Sequence, residues 1–215
     1  MAIPPIEPYE LPDLDGIEGN RAPWKLAPDR AALLIHDMQN YFIDAFELGQ
    51  EPVATALANI ARIRALCADV GIPVVFTMQP GDQHPARRGL LADLWGPGLS
   101  AGRDTEVVAA LEPRDTDIQV TKWRYSAFQR TDLRELLAHH GRDQLLVTGV
   151  YAHMGCLLSA AEAFMNDIQP FFVADATADF SRAEHEMALT YAAKRCAVVT
   201  TTDAVSGVLS RAVAA

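Results

Sequence analysis

Cysteine is scarce in this sequence, and its few copies form no recognisable pattern. Only three of the 215 residues are cysteines, at positions 67, 156 and 196, and no two of them stand in a CxxC pair. An odd number of widely separated cysteines argues against a disulfide framework and against a zinc site built from thiolates. This usage is typical of a reducing compartment, and we expect a cytoplasmic protein.

Positive charge is also in short supply. Lysine and arginine together number 18 against 28 aspartates and glutamates, so the net charge is −10 and the isoelectric point is near 5.0. The field of such a chain repels polyanions, which argues against nucleic acid and against an anionic membrane as the main partner. We expect a small-molecule substrate, and an anionic substrate would have to meet a local basic pocket.

Long apolar runs are absent as well. The first residues, MAIPPIEPYELPDLDG, lack a basic region followed by an apolar stretch, and no run approaches the length that crosses a bilayer. The sequence therefore predicts neither a secretory signal nor a membrane span.

The chain does contain enough apolar material for one core. Half of its residues are hydrophobic, which fits a single globular unit. Residues 1–28 are rich in proline and acid and predict an N-terminal arm, whereas residues 29–215 predict one folded domain. No repeat or linker marks a second domain, and the alanine-rich segment after the last predicted strand is too brief for an appended aryl carrier domain.

Six short apolar runs predict buried β-strands, because each is bounded by polar or turn-forming residues. Helical patterns separate the runs, and this alternation predicts an α/β protein with a parallel sheet that helices cover on both faces. The predicted strands are 31–36, 72–78, 117–121, 144–149, 170–175 and 197–201.

The first helical pattern is the clearest. Apolar residues recur every three or four positions from Val53 to Val70, which indicates one buried helix face, and Gly71 supplies a stop. Ser181 and Glu184 form a capping-box pattern at the start of the last helix. The other predicted helices are 131–140, 155–166 and 182–195.

Polar residues follow five of the predicted strands. Ligands of an open parallel sheet bind beyond the carboxyl ends of its strands, so these residues are candidates for a site. Position alone is a weak argument, because an aspartate after a strand often caps the next helix and a lysine there is often a solvated surface residue. We favour the capping role for Asp175. The other four residues are Asp37, Gln79, Lys122 and Tyr151.

Six segments, in their order and spacing, resemble the isochorismatase family. The resemblance runs along nearly the whole chain. It implies a single-domain, three-layer α/β/α Rossmann-like fold with a six-stranded parallel sheet, an isochorismatase-like hydrolase that uses no metal and no other cofactor. The segments are LLIHDMQNYF (34–43), TMQPGDQ (77–83), RGLLADLWGPGL (88–99), TKWRYSAF (121–128), GVYAHMGC (149–156) and DIQPFFVADATADFSRAEH (167–185).

The same resemblance implies the residues of the site. Asp37 and Lys122 correspond to the catalytic pair. Arg87 stands beside Arg88, so the carboxylate-binding arginine is not decided by the sequence, although the RGLL motif favours Arg88. The expected substrate-binding residues are Gln79, Arg88, Trp95, Tyr151 and Gly155, with Phe42 and Phe128 as apolar wall.

The activity that the resemblance implies is hydrolysis of isochorismate to 2,3-dihydro-2,3-dihydroxybenzoate and pyruvate. Cleavage of the enolpyruvyl ether needs a proton on the terminal methylene carbon, and Asp37 is the candidate acid. An ordinary aspartic acid is protonated at neutral pH only at a cost of roughly 4 kcal/mol.

A second substrate is open at this point, because the phenazine-pathway members of the family act on 2-amino-2-deoxyisochorismate. Their reaction gives trans-2,3-dihydro-3-hydroxyanthranilate and pyruvate. The family resemblance further implies a homodimer, and we expect any aryl carrier protein to be a separate chain.

An amidase of nicotinamidase type is the rival enzyme class. Such amidases use an Asp, Lys and Cys triad, and Cys156 opens a predicted helix where their nucleophile would stand. Asp82 and His84 resemble part of a nicotinamidase metal site, but no further histidine follows until His139, so we predict no metal.

Two further interpretations are less informative. A non-catalytic binding module built on the same fold is conceivable, but the retained Asp37 and Lys122 argue against it. We expect structural roles for two histidines. His36 would cap the end of a strand, and His153 would be a hydrogen-bonded turn residue.

Overall fold

The fold is built on one parallel sheet. The computed structural model describes residues 3–13 and 19–214, and the sheet orders its six strands β3-β2-β1-β4-β5-β6. All six predicted strands are confirmed, with boundaries that shift by up to three residues. The strands are β1 (Ala31–His36), β2 (Val74–Met78), β3 (Ile118–Thr121), β4 (Gln144–Val150), β5 (Gln169–Ala178) and β6 (Val198–Thr200).

The strand order reverses beside β1. The chain adds β2 and β3 on one side of β1, and then adds β4, β5 and β6 on the other side. His36 is in register with Gly149, so Asp37 follows the end of β1 beside Val150, the last residue of β4. In open α/β sheets such a reversal leaves a crevice at the carboxyl ends of the strands, where ligands bind.

Helices cover the sheet. Within residues 3–13 and 19–214, none of them is both long enough and apolar enough to cross a membrane. A π-helical turn, Ala152–Cys156, precedes α6. The helices are α1 (Asn40–Ile43), α2 (Val53–Asp69), α3 (Pro85–Arg88), α4 (Leu91–Trp95), α5 (Leu133–His139), α6 (Leu157–Met165), α7 (Arg182–Arg195) and α8 (Thr202–Val213).

Each face of the sheet buries its own apolar cluster. In β1, Leu33 and Ile35 belong to the cluster that α2 and α8 cover, whereas Ala32 and Leu34 belong to the cluster that α5, α6 and α7 cover. Successive side chains of a strand point to opposite faces, so one apolar run serves both clusters. The three-layer α/β/α architecture is therefore confirmed.

The alanine-rich segment after β6 contains a helix that the sequence did not predict. It forms α8, whose first turn is capped by Thr201: the threonine side chain accepts a hydrogen bond from the backbone N–H of Ala204 at 3.2 Å. Val205 and Leu209 lie one helical turn apart and are buried in the cluster beside α2. Thr202 and Ser206 are buried as well, so one face of the helix packs against the domain.

Asp175 does not cap the helix that follows it in sequence. Strand β5 continues past this residue to Ala178, so Asp175 lies inside the strand. Its Oδ1 accepts hydrogen bonds from the backbone N–H of Thr202 at 2.7 Å and from the Thr202 hydroxyl at 2.9 Å. Asp175 thus binds a helix N-terminus, but that of α8.

The described part of the N-terminal arm lies along the domain. Ile6 forms a parallel bridge with Phe46, and the Tyr9 hydroxyl accepts a hydrogen bond from the backbone N–H of Asp179 at 2.8 Å. The Asn20 side chain accepts a hydrogen bond from the backbone N–H of Val199 at 2.7 Å. Residues 1–2 and 14–18 of the predicted arm lie outside the described residues, and the division into arm and domain stays a prediction.

Helix α7 begins with the cap that the sequence predicted. The Ser181 Oγ accepts a hydrogen bond from the backbone N–H of Glu184 at 3.3 Å and donates one to the Glu184 carboxylate at 2.8 Å. We expect Ser181→Ala to lower the free energy of unfolding by about 1 kcal/mol, because a helix N–H loses its acceptor. Urea unfolding measures the change, and the exposed Ser210→Ala in α8 is the control. Equal effects of the two substitutions would contradict the role of the cap.

Candidate active site

A pocket opens where the strand order reverses. Its empty space, with the open mouth included, is about 540 Å³. Its lining combines cationic and hydrogen-bonding groups with apolar and aromatic groups. The polar lining consists of His36, Asp37, Gln79, Arg88, Lys122 and Arg124, and the remainder of Ile3, Tyr41, Phe42, Leu91, Trp95, Tyr125, Val150, Tyr151, Met154, Gly155 and Phe180.

Asp37 and Lys122 form a buried ion pair in this pocket. Lys122 Nζ lies 2.8 Å from Asp37 Oδ2, and the two side chains are 1% and 5% exposed. Asp37 Oδ1 accepts a hydrogen bond from the Thr77 hydroxyl at 2.9 Å, and Oδ2 accepts one from Gln79 Nε2 at 3.1 Å. The backbone of Asp37 has φ 50°, a conformation that is uncommon outside glycine and that concentrates at functional sites.

The surroundings of Asp37 favour its ionised form. Burial raises the pKa of the carboxyl, but the neighbouring His36 and Lys122 and the hydrogen bonds from Lys122 and Gln79 outweigh burial, so the pKa lies below its ordinary value. The lysine is fixed from its other side, because Nζ also donates to the Arg124 carbonyl at 2.7 Å. The unliganded site therefore favours a carboxylate at Asp37.

Gln79 connects Asp37 to an arginine. Its Oε1 accepts a hydrogen bond from Arg88 Nη1 at 3.2 Å, and Arg88 Nε donates to the Gly96 carbonyl at 3.1 Å. The neighbouring Arg87 is exposed, and its guanidinium stacks 5.2 Å from the centre of the Trp123 ring. Arg88 lines the pocket and Arg87 does not.

Aromatic side chains form the apolar wall. Tyr151 turns its ring to the pocket, because its hydroxyl donates to the Phe42 carbonyl at 2.7 Å. The ring of Phe180 lies 4.3 Å from that of Tyr151, centre to centre. Trp95 is held at the rim, where its Nε1 donates to the Tyr125 hydroxyl at 2.6 Å. These contacts let the wall exclude water without leaving the polar atoms of its rings unpaired.

Gly155 leaves room for the ring of His36 beneath the pocket. A Cβ at Gly155 would lie 2.0 Å from His36 Cε1, which no real contact allows. The two ring nitrogens of His36 lie 2.8 Å from the Val150 carbonyl oxygen and 3.1 Å from the Tyr125 carbonyl oxygen. The ring thus joins the end of β4 to the loop after β3, a structural role that agrees with the interpretation from sequence.

Cys156 faces away from the pocket. Its thiol is fully buried in the cluster that α6 covers, and Sγ lies 3.8 Å from the Thr148 carbonyl oxygen. Burial raises the pKa of this thiol well above its ordinary value, which makes it a poor nucleophile. The π-helical turn presents Gly155 to the pocket instead, so the geometry argues against a cysteine mechanism.

Phe128 does not line the pocket, and its assignment to the apolar wall was wrong. The ring is buried in the cluster that α5, α6 and α7 cover. After Tyr125 the chain turns inward, because Ser159 Oγ accepts a hydrogen bond from Ala127 N at 2.8 Å and Ser126 Oγ accepts one from Phe128 N at 3.2 Å. These bonds hold the segment against α6, away from the site.

Several lining residues were not predicted. Tyr41 lies on α1, four residues after Asp37, Arg124 and Tyr125 follow Lys122, and Phe180 follows β5. All four lie inside the segments that carry the family resemblance. Their position in those segments was the only sequence feature that could have identified them as lining residues. The sequence does not say which side chains of a segment point into a pocket.

One cluster of metal-type ligands comes together within the described ranges, namely His153, Asp179 and Glu184. Asp179 is already engaged, because its carboxylate accepts hydrogen bonds from the backbone N–H of His153 at 2.6 Å and of Phe180 at 2.8 Å. His84 is elsewhere and caps α3, accepting a hydrogen bond from the backbone N–H of Ala86 at 3.2 Å. The absence of a metal stays a prediction.

Comparisons with known proteins add an independent line of argument. The family profile described as "Isochorismatase domain" matches residues 31–204. An isochorismatase of Bacillus subtilis (strain 168) is 53% identical over 213 residues, which cover 99% of this chain and 68% of that protein. The phenazine biosynthesis protein PhzD of Pseudomonas fluorescens is 52% identical over 209 residues, which cover 94% of this chain and 98% of that protein.

A solved structure supports the fold. The cysteine hydrolase from Pseudomonas syringae pv. phaseolicola 1448A has a TM-score of 0.81 and covers 92% of this chain and 99% of its own. The two sequences are 23% identical, so this likeness concerns the fold alone.

His153 should make the stability of the chain depend on pH. Burial lowers the pKa of its ring, but the hydrogen bond to Asp179 and the charges of Asp179 and Glu184 outweigh burial and raise the pKa overall. A pKa raised by folding stabilises the folded state fully below the unfolded value of about 6.5, and the contribution is lost as the pH rises through the folded value.

We therefore expect His153→Gln to destabilise the chain most near about pH 6, and progressively less at higher pH. Urea unfolding at a series of pH values measures the difference from the parent chain. His140→Gln, which removes an exposed histidine, is the matched control. A loss of stability that stays constant with pH, or that the control reproduces, would show that the ring does not act through its charge.

Proposed function

The chain belongs to the isochorismatase family and is a hydrolase of isochorismatase type, and we propose that it cleaves the enolpyruvyl ether of isochorismate. The products are 2,3-dihydro-2,3-dihydroxybenzoate and pyruvate. The observation that carries the proposal is the Asp37–Lys122 pair, buried with an N–O distance of 2.8 Å inside a pocket that has an aromatic wall and a further buried arginine.

Asp37 acts as the general acid. Its proton adds to the terminal methylene carbon of the enolpyruvyl group, which becomes a methyl group and leaves an oxocarbenium ion. Water adds to that cation and loses a proton, and the resulting hemiketal breaks into pyruvate and the ring alcohol. The aromatic wall formed by Phe42, Tyr151 and Phe180 keeps other water away from the cation.

The acid must acquire its proton as the substrate binds, because the unliganded carboxyl has a lowered pKa. A dianionic substrate changes this balance in two ways: its charge raises the pKa of Asp37, and its carboxylate competes for Lys122. Lys122 then orients Asp37 and holds the enolpyruvyl carboxylate through a charge-assisted hydrogen bond. Arg88, which Gln79 connects to Asp37, also binds the enolpyruvyl carboxylate.

The second candidate substrate is 2-amino-2-deoxyisochorismate. The specific observation in its favour is that the chain is as similar to a phenazine biosynthesis protein, at 52% identity, as to an isochorismatase, at 53%. Both substrates contain the same enolpyruvyl ether, so the residues around Asp37 do not separate them. Kinetics on the two compounds side by side, with the products identified by mass, decides between them.

An amidase activity of nicotinamidase type has less support. Its nucleophile would be Cys156, whose thiol is buried behind the pocket, and a binding module without catalysis would not need a buried Asp37–Lys122 pair. Release of ammonia from nicotinamide, blocked by thiol alkylation, would favour the amidase.

We also propose a cellular location and an oligomeric state for the enzyme. All three cysteines are free and buried, which fits the reducing cytoplasm. A homodimer is proposed from family resemblance, and light scattering after gel filtration tests it.

Asp37→Asn should remove most of the activity and leave the fold intact. Asparagine keeps the size of the side chain but cannot donate the proton, so we expect pyruvate release to fall by roughly a hundred- to ten-thousand-fold. Pyruvate is measured with coupled lactate dehydrogenase. Cys156→Ala is the matched control and should keep nearly full activity; a large loss in the control, with activity kept in Asp37→Asn, would reverse the assignment.

The pH dependence of kcat/KM offers a second test. Because kcat/KM is referred to the free enzyme, whose Asp37 is ionised, the proton that this carboxyl takes up as the substrate binds must come from solution, and far above its pKa the productive fraction falls about tenfold per pH unit. We therefore expect kcat/KM to fall as the pH rises from about 6 to about 8, approaching that slope. Cys156→Ala should give the same profile. A flat profile would mean that Asp37 does not take its proton from solution.

A further inference from the structure

The pocket contains a second guanidinium group that the proposed reaction leaves without a role. Arg124 lines the same pocket as Arg88, two residues after the catalytic lysine. Among the residues that the structure describes, neither arginine forms an ion pair with a carboxylate. Two uncompensated guanidinium groups in one partly apolar pocket repel each other, so the arrangement favours an anionic ligand.

The acceptors of both arginines are neutral. Arg124 Nη1 donates to the carbonyl oxygens of Arg87 at 3.0 Å and of Trp123 at 2.6 Å. Arg88 donates to the Gly96 carbonyl and to the Gln79 side chain. Burial lowers the pKa of Arg88, and the charge of Arg124 lowers it further. These bonds hold the two planar groups in place but leave their charges uncompensated.

Each guanidinium rests against a glycine. A Cβ on Gly98, where φ is +87°, would lie 2.8 Å from Arg88 Cζ, and a Cβ on Gly89, where φ is +58°, would lie 3.1 Å from Arg124 Nη2. Both glycines belong to the segment around α3 and α4. This segment therefore makes space for two separate guanidinium groups.

We propose that Arg124 binds the ring carboxylate of the substrate, while Arg88 and Lys122 bind the enolpyruvyl carboxylate. The inference rests on the proposed function, because it assumes a substrate with two carboxylates. Arg88 is assigned to the enolpyruvyl group because Gln79 ties it to Asp37, the proton donor. Among the described residues, the Arg124 guanidinium is bound instead to the backbone of Arg87 on α3 and forms no hydrogen bond with Asp37 or Gln79, so we assign it to the other carboxylate.

This assignment makes Arg124 a specificity-determining residue. A ligand with one carboxylate would leave one of the two guanidinium groups without an anionic partner, whereas a ligand with two carboxylates gives each of them a charge-assisted hydrogen bond. The pocket would therefore discriminate against neutral and monoanionic ligands of the same size.

The test compares isochorismate with its analogue in which the ring carboxyl is a methyl ester. We expect Arg124→Gln to lower kcat/KM for isochorismate by roughly 10- to 100-fold, the effect of losing a charge-assisted hydrogen bond. The same variant should lower kcat/KM for the ester far less, because the ester has no ring charge to lose. Arg124→Lys keeps the charge without the fork geometry and should restore part of the activity on isochorismate.

Arg87→Gln is the matched control, since it removes a neighbouring exposed guanidinium and leaves the backbone carbonyl that Arg124 uses. It should leave both substrates nearly unaffected. An equal loss on isochorismate and on the ester in Arg124→Gln would indicate a structural effect on the loop, and no loss on isochorismate would show that Arg124 does not bind the substrate. Either result overturns the inference.

Binding separates this inference from the proposed function. In the Asp37→Asn background, calorimetry should show isochorismate binding more weakly by roughly 10- to 100-fold when Arg124→Gln is added. If the parent chain fails to release pyruvate but this difference in affinity is present, the proposed reaction fails and the role of Arg124 stands. If isochorismate binds equally with and without Arg124→Gln, or does not bind at all, the role of Arg124 fails.

Discussion

The buried ion pair between Asp37 and Lys122 is the constraint on which the rest of the site depends. Two charges removed from water are costly, and their mutual attraction offsets that cost only when further hydrogen bonds complete both groups. Thr77 and Gln79 donate to the carboxylate, and the Arg124 carbonyl accepts from the ammonium group. The ends of β1, β2 and β3 must therefore meet within hydrogen-bonding distance.

The polar residues and the aromatic residues that line the pocket have different roles. The polar residues hold charges in place through neutral acceptors, as the Gly96 carbonyl does for Arg88. The aromatic residues satisfy their own polar atoms internally, as the Tyr151 hydroxyl does with the Phe42 carbonyl, so that only ring surface meets a ligand. An oxocarbenium ion formed in this pocket would meet both fixed dipoles and apolar ring surface. Electrostatic preorganisation requires such an environment.

Much of this organisation was predictable from the sequence, and the failures have physical causes. Strands buried on both faces are nearly continuous apolar runs, so all six were recognised, and the polar residue after each of the first four strands does line the pocket. Helix α8 was not predicted, because only a few of its positions are buried and they form no clear apolar pattern. Phe128 and Arg124 lie in one motif but point to different places, because hydrogen bonds to Ser126 and Ser159 turn the chain between them. Motif membership does not encode such a turn.

The N-terminal arm contributes to the site as well. Ile3 lines the pocket, Ile6 pairs with Phe46, and Tyr9 binds the backbone of Asp179, which precedes Phe180 of the aromatic wall. The lining of the cavity is thus supported by segments about 170 positions apart in the polypeptide. A substitution at Ile3 would therefore change the surface that a ligand touches without changing any residue of the sheet.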